Sequence, residues 1–169
     1  MSTVEYGGVT FRVRRLPSTA AQYVAALNTR DAEEQLSACF DIVVAAGLDW
    51  EAVQEAAFNA DNDILDLVGD VLEVWSARPW KSSVMLAVVA VKQWHTIRGR
   101  LIDKGIGDPL GEIPSLEALL DVIEVMLMDG AKDDDDRARL QRELYPSPVG
   151  KAPPGDWSDE ALLDAFPSM

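Results

Sequence analysis

The sequence lacks most of the residues from which catalytic and metal sites are built. Its 169 residues include one histidine, His95, and one cysteine, Cys39. A single cysteine excludes an internal disulfide, and a single histidine cannot build a histidine-based metal site. No glycine-rich loop is followed by the Lys-Ser or Lys-Thr pair of a phosphate-binding loop. We therefore predict no catalytic residue, no metal and no cofactor, and we expect the protein not to be an enzyme.

Long apolar runs are also absent. No run reaches the ~18 residues that a membrane-spanning helix requires. The first residues contain Glu5 and a Gly-Gly pair, where a secretory signal would have an apolar centre. These absences predict a cytoplasmic protein that does not contact a membrane. The apolar fraction of 48% is ordinary for a folded domain, and the length fits one domain with a tail.

Positive charge is missing from one long segment of a chain whose net charge is −14. Residues 31–77 contain twelve acidic residues and no basic one, whereas residues 78–104 contain six basic residues and one acidic residue. Because most of the chain would repel phosphate, we expect no nucleic-acid partner. We expect the basic segment to neutralise the acidic segment within the fold, with an acidic external partner as the alternative.

Two acidic clusters have the composition of a cation site. Asp61, Asp63 and Asp66 lie close together in sequence. An EF-hand calcium loop counted from Asp61 would need Gly at position 66 and Glu at position 72, and this chain has Asp66 and Leu72 there. Asp61 is better interpreted as a helix N-cap. The acidic run 133–136 likewise favours the first turn of a helix, where the helix dipole stabilises acids.

The apolar pattern predicts a mainly α-helical fold: a bundle of about six to seven helices with a small N-terminal β-hairpin and a flexible C-terminal tail. Val9, Phe11 and Val13 alternate with polar residues after the Gly7-Gly8 pair, which is typical of a hairpin over residues 3–14. We expect this hairpin to pack on the helices, because a lone hairpin is marginal in water. The predicted helices cover residues 18–28, 31–46, 50–59, 61–76, 79–104, 116–128 and 133–144. Ser18, Asp49 and Ser115 are the predicted N-caps of the first, third and sixth of these helices.

Two of these helices have informative apolar faces. In the helix over 31–46, apolar residues at i, i+3, i+4, i+7 and i+8 predict one inward face, made of Leu36, Cys39, Phe40, Val43 and Val44. Its cysteine is therefore interpreted as a buried, inert thiol. In the helix over 79–104, residues 84–91 are apolar nearly all round, which indicates a buried central helix. The tryptophans on predicted helices are expected to anchor the core, and these are Trp50, Trp75, Trp80 and Trp94.

The C-terminal residues differ from the rest in composition. Residues 1–145 are predicted to form the helical domain, and residues 146–169 a Pro/Gly-rich linker followed by a short acidic amphipathic helix. Trp157 lies beyond most of the linker's prolines, and a large aromatic residue there can anchor a partner. A helix with Leu162, Leu163 and Phe166 on one side would fit an apolar groove. The equally weighted alternative is that this tail folds back on its own bundle.

Several short motifs follow one another through the back half of the chain. They are Arg78-Pro79-Trp80, Trp94 with the following Arg98-Gly99, Asp108-Pro109-Leu110, the leucine-rich helix after Pro114, and the path from Leu144-Tyr145-Pro146 to Pro153-Pro154-Gly155. In this order they resemble the tail assembly chaperones of long-tailed phages that infect actinobacteria. The resemblance implies a protein that binds the tape measure protein, keeps it soluble and helps to recruit tail tube subunits around it. It also implies action in the host cytoplasm and absence from the mature virion.

On this basis we expect two groups of residues to contact the partner. The first group is Trp157, Leu162, Leu163 and Phe166, and the second is Arg98 and Arg100 in the basic segment. Whether the protein forms a homo-oligomer stays open. One alternative is a structural head–tail connector or adaptor of the virion, whose hairpins would pair between subunits. A further alternative is an acidic DNA-mimic inhibitor, which the six basic residues in the middle of the chain disfavour.

Overall fold

The fold is mainly α-helical with an N-terminal β-hairpin, as the sequence predicts. A computed structural model describes residues 2–61 and 63–146, and within these residues two strands precede nine α-helices. The strands are β1 (Ser2–Tyr6) and β2 (Val9–Val13). The helices are α1 (Ala21–Ala26), α2 (Ala32–Ala45), α3 (Trp50–Ala57), α4 (Ile64–Ser76), α5 (Trp80–Lys92), α6 (Trp94–Asp103), α7 (Pro109–Glu112), α8 (Leu116–Asp129) and α9 (Asp134–Leu144). Except for Pro146, the predicted tail lies outside the described residues.

Helix α5 is the centre of the bundle. Its residues from Ser82 to Ala90 are all buried, and α1, α4, α8 and α9 pack on it. A helix that is covered on every side needs apolar or small residues on every side, which is the pattern of residues 84–91. The predicted buried central helix is therefore confirmed for residues 84–90, whereas Val91, the last residue of the predicted run, is 47% exposed.

The predicted length of this helix is wrong, because the span 79–104 contains two helices. Gln93 has φ −106° and ψ 20°, so the chain leaves helical geometry there and α6 begins at Trp94. Ile97 and Leu101 of α6 are buried, whereas Arg98 is exposed. Glycine and proline are the usual sequence signals of such a break, and neither stands at this position.

The hairpin packs on the helical bundle. The strands pair antiparallel with Val4 opposite Phe11, and their buried side chains are those of Val4, Tyr6, Phe11 and Val13. Strand β1 lies against α3 and α4, which confirms the predicted packing. Val9, at the start of β2, is exposed and does not join the buried face.

Two predicted N-caps are confirmed and two are wrong. The Asp49 side chain accepts a hydrogen bond from the Glu51 N–H at 3.0 Å, and the Ser115 hydroxyl accepts one from the Ala118 N–H. The cap of α4 is Asp63 and not the predicted Asp61, since the Asp63 carboxylate accepts from two N–H groups of the first turn. Ser18 is also not a cap. Its hydroxyl donates to the Leu110 carbonyl at 3.2 Å, and a 3-10 turn over Ser18–Ala20 precedes α1.

A buried arginine links the end of α4 to the middle of α8, and a tyrosine at the end of α9 joins the same cluster. Arg78 follows α4 and forms ion pairs with Asp121 and Glu124 of α8. The Tyr145 hydroxyl, just after α9, donates to the same Glu124 carboxylate at 2.8 Å. Close by, the Ser82 hydroxyl of α5 donates to the last carbonyl of α9. This polar cluster fixes where α9 ends on the bundle.

Candidate protein-interaction surface

Only part of the predicted contact residues can be placed in the structure. Arg98 is exposed on α6, and Arg100 is half-exposed on the same helix. Trp157, Leu162, Leu163 and Phe166 lie outside the described residues.

The basic segment around Arg100 is electrostatically mixed. Arg100 and Lys104 line a shallow cavity of about 250 Å³ with Asp103, Asp129 and Met126. Two acids stand there beside two bases, so the cavity has no strong preference for an anion. Arg98, which is exposed, is the more accessible of the two predicted arginines.

A second depression is apolar. It is a groove of about 300 Å³ between α1, α5 and α8, lined mainly by small and apolar side chains, among them Ala21, Ala90, Val91, Trp94, Leu110 and Leu119. Trp94 of α6 also lines it and is half-buried. A groove of this composition suits an apolar side chain of a partner better than a polar ligand.

The most distinctive surface lies on α2 and was not predicted as a surface. Leu36, Phe40 and Val44 are 52%, 40% and 50% exposed. They stand at i, i+4 and i+8, so they form one row along the helix. We call these three residues the α2 stripe. Scattered apolar residues on a surface are ordinary, but an aligned row of three large ones is a feature of interaction surfaces.

The sequence predicted these three residues as part of an inward face, and that prediction is wrong for all three. The same helix does bury Cys39, Val43 and several neighbours, so its apolar residues cover more of its circumference than the core needs. The helices α1, α3 and α4 contact α2, and they leave the α2 stripe open.

One residue of α3 extends this surface. The rings of Phe40 and Trp50 meet edge to face, with centroids 5.1 Å apart and an interplanar angle of 85°. Such pairs stabilise by about 1 kcal/mol beyond the area that they bury. The half-exposed Trp50 thus supports Phe40 from one side and enlarges the apolar area around it. Phe58, at the other end of α3, is 90% exposed. It lies about 12 Å from Trp50 along the helix.

Acidic residues neighbour the α2 stripe and Trp50 along the chain. Glu33 stands one turn before Leu36, Asp41 follows Phe40, and Glu51 follows Trp50. These three acids belong to the segment 31–77 that has no basic residue. Among the described residues, their carboxylates have no ion-pair partner, so the field that they create at this surface is negative.

The predicted neutralisation of this acidic segment is wrong for Arg78. Its ion pairs go to Asp121 and Glu124 of α8, outside residues 31–77. Arg14, from outside the basic segment, does approach α2. Its backbone N–H donates to the Ala46 carbonyl at 2.8 Å, just after the last residue of the helix.

Cys39 lies under the α2 stripe on the buried side of the helix and is 1% exposed. Burial, and to a smaller extent the charge of Asp63, raises the pKa of the Cys39 thiol from 9.0 to about 11. Since the thiolate is the reactive form, the thiol is protonated and shielded at neutral pH. His95 is the other side chain of a type common in catalytic sites. It is exposed on α6.

The acidic clusters serve helix starts. Asp63 caps α4, and Asp133 caps α9 by accepting from the Asp136 N–H at 2.8 Å. Over residues 2–61 and 63–146, no three His, Cys, Asp or Glu side chains are grouped to hold a metal ion. The same part of the chain contains no helix long and apolar enough to cross a bilayer.

Residues 89–169 match a family of unknown function, DUF7240. The match begins near the end of α5, includes α6 to α9 and the C-terminal residues, and covers slightly less than half of the chain. Its description assigns no activity and no partner. No curated protein and no solved structure matches the chain. The α2 stripe lies outside the matched part.

Proposed function

We propose that this protein is a non-enzymatic tail assembly chaperone of a phage, which binds the tape measure protein and aids assembly of the tail tube. The proposal combines the resemblance of residues 78–169 with one structural observation. That observation is the α2 stripe, an exposed apolar row on an otherwise acidic surface. Together they favour a protein that functions by binding another protein chain.

The chemistry of the client explains why these two properties belong together. A tape measure protein is long, helical and prone to aggregate, so a chaperone must cover apolar helix faces without aggregating itself. Leu36, Phe40 and Val44 supply apolar contact area, and a net charge of −14 opposes self-association. Three side chains bury only a small contact area, and tail tube subunits can displace so weak a contact.

The experiment is co-expression of the chain with the tape measure protein of the same phage, with measurement of how much tape measure protein stays soluble. We expect the full chain to raise the soluble fraction and to co-purify with the client. A second chain that ends at Tyr145 locates any contribution of residues 146–169. The proposal fails if the full chain neither raises the soluble fraction nor co-purifies.

Purified virions separate this proposal from its main alternative. A chaperone acts in the host cytoplasm and is absent from the finished particle, whereas a head–tail connector or adaptor is a stoichiometric part of it. Quantitative mass spectrometry of purified particles, which gives the number of copies of this protein per virion, therefore decides between the two. If each virion contains enough copies to form a ring, the protein is a connector and the chaperone proposal is wrong.

A further inference from the structure

We infer that the α2 stripe binds a basic amphipathic helix of a partner protein, which lies along Leu36, Phe40 and Val44. The inference rests on the client-binding function proposed above and adds the place and the chemistry of the contact. It concerns a surface outside the residues that match the DUF7240 family.

The shape of the stripe fits a helix. Leu36 and Val44 are eight residues apart, which is about 12 Å along α2. Rows of side chains at i, i+4 and i+8 pack into the grooves of a second helix. The complementary partner therefore presents apolar residues at i, i+3 or i+4, and i+7 or i+8 over two to three turns.

The acidic residues around the stripe favour a partner with positive charge. Glu33, Asp41 and Glu51 border the apolar row and have no ion-pair partner among the described residues. A partner helix with Lys or Arg beside its apolar face places opposite charges at this rim, which speeds encounter and disfavours acidic competitors. These rim charges are in contact with solvent, so their effect weakens as salt is added.

The same charges disfavour two other occupants. A second copy of the chain, docked stripe to stripe, would bring two segments of twelve acids together, and like charges opposed in this way repel. The chain's own residues 147–169 contain four acidic residues and one lysine, so they also carry the wrong sign. A basic helix from another protein remains as the occupant that meets both the apolar and the charge requirement.

The test uses fluorescence anisotropy of labelled peptides with the full-length protein. One peptide of about 18 residues carries leucine at i, i+4 and i+8 with lysines beside them, which is long enough to form a helix when bound. Its control has the same leucines and glutamate in place of every lysine. We expect the basic peptide to bind about tenfold more tightly at ~0.05 M salt, and the difference to shrink towards ~0.5 M salt.

Two pairs of variants locate the contact. Leu36→Ser with Val44→Ser removes two thirds of the stripe but keeps the Phe40–Trp50 pair, and should weaken the basic peptide about tenfold or more. The matched control is Ile102→Ser with Val125→Ser, which changes two residues of similar exposure on other helices and should leave binding unchanged. Circular dichroism must show that both variants keep the helical content of the parent.

A second pair tests the charges separately. Glu33→Gln with Asp41→Asn should weaken the basic peptide about fivefold at low salt and should leave binding of the glutamate peptide unchanged or improved. Its control, Glu5→Gln with Glu143→Gln, removes the same charge from exposed positions on β1 and α9 and should have little effect.

Four outcomes overturn the inference. The first is equal binding of the basic and the glutamate peptide, and the second is equal loss in the stripe variant and its control. The third is a dimer in analytical ultracentrifugation that the stripe variant dissociates, because a second copy would then be the occupant. The fourth is a large gain in peptide affinity when residues 147–169 are removed, because those residues would then cover the stripe.

The failure of this inference can be told apart from the failure of the proposed function. If the stripe variant still keeps the tape measure protein soluble, the function stands and the site on α2 is wrong. If the parent protein binds the basic peptide through α2 but gives no rescue of the tape measure protein, the site stands and the client is a different protein.

Discussion

The Nη2 atom of Arg78 lies 3.1 Å from the Glu124 carboxylate, although the Arg78 side chain is only 7% exposed. Burial by itself would lower the pKa of this guanidinium, but the hydrogen bond to Asp121 and the charges around it raise the pKa overall. The arginine is thus a charged group inside the fold. Its pairing joins the end of α4 to α8, and through Tyr145 to the end of α9.

Glu124→Ala should lower the free energy of unfolding by about 3 kcal/mol, because it leaves a buried charge with one partner fewer. Arg78→Met should cost less, since it removes the buried charge itself. It also removes the Nε and Nη1 groups, which have no hydrogen-bond partner within the described part of the chain. Urea unfolding of both variants checks the order, and a smaller loss for Glu124→Ala than for Arg78→Met contradicts it.

Gly7→Ala should be far more damaging than Gly8→Ala. Both glycines have positive φ, 55° and 76°, so an added methyl group costs about 1 kcal/mol of backbone strain at either position. At Gly7 the new Cβ would also overlap the carbonyl oxygen of Ala56 in α3, whereas at Gly8 it meets no atom within 4 Å. Thermal unfolding of the two variants measures the difference. Similar melting temperatures would mean that the turn does not lie against α3.

Cys39 should resist alkylation in the folded protein. Its thiol is buried in α2, and burial holds its pKa near 11, so little thiolate exists at pH 8 and reagents cannot reach it. Iodoacetamide labelling followed by mass spectrometry should be slow in buffer and fast in urea. Fast labelling in buffer would show that α2 opens readily, and the α2 stripe would then not be a stable surface.

The free energy of unfolding should fall between about pH 9 and pH 11. The folded state holds the Cys39 proton up to about pH 11, whereas the free thiol loses it near 9.0. The unfolded state therefore binds fewer protons in this interval, and deprotonation favours unfolding by about 2 kcal/mol at the upper end. The raised pKa values of Tyr6 and Tyr145 act in the same direction. Urea midpoints across the interval test this, and Cys39→Ala should show a smaller fall.

Sequence patterns predicted the features that depend on near neighbours. The caps Asp49 and Ser115 and the buried run of α5 are confirmed, because capping and all-round burial leave local signals. The break at Gln93 has no such signal. Asp61 and Asp63 are equally good caps by residue type, and only the path of the chain into α4 selects Asp63.

The α2 stripe shows a different limit. The spacing of Leu36, Phe40 and Val44 on α2 indicates an apolar row, but spacing does not say how much of the row other helices cover. That depends on where α1, α3 and α4 are placed. Two sequence features together indicate the stripe. The apolar face of α2 is wider than its contact with the core requires, and it lies in a segment that has no basic residue.

The most direct test of client binding through α2 measures the soluble fraction of the co-expressed tape measure protein with three forms of this chain. These are the parent, the stripe variant Leu36→Ser with Val44→Ser, and the control Ile102→Ser with Val125→Ser. We expect the parent and the control to keep the tape measure protein soluble to the same extent, and the stripe variant to lose most of this effect. Equal solubility with all three forms, or no effect of the parent, would contradict it.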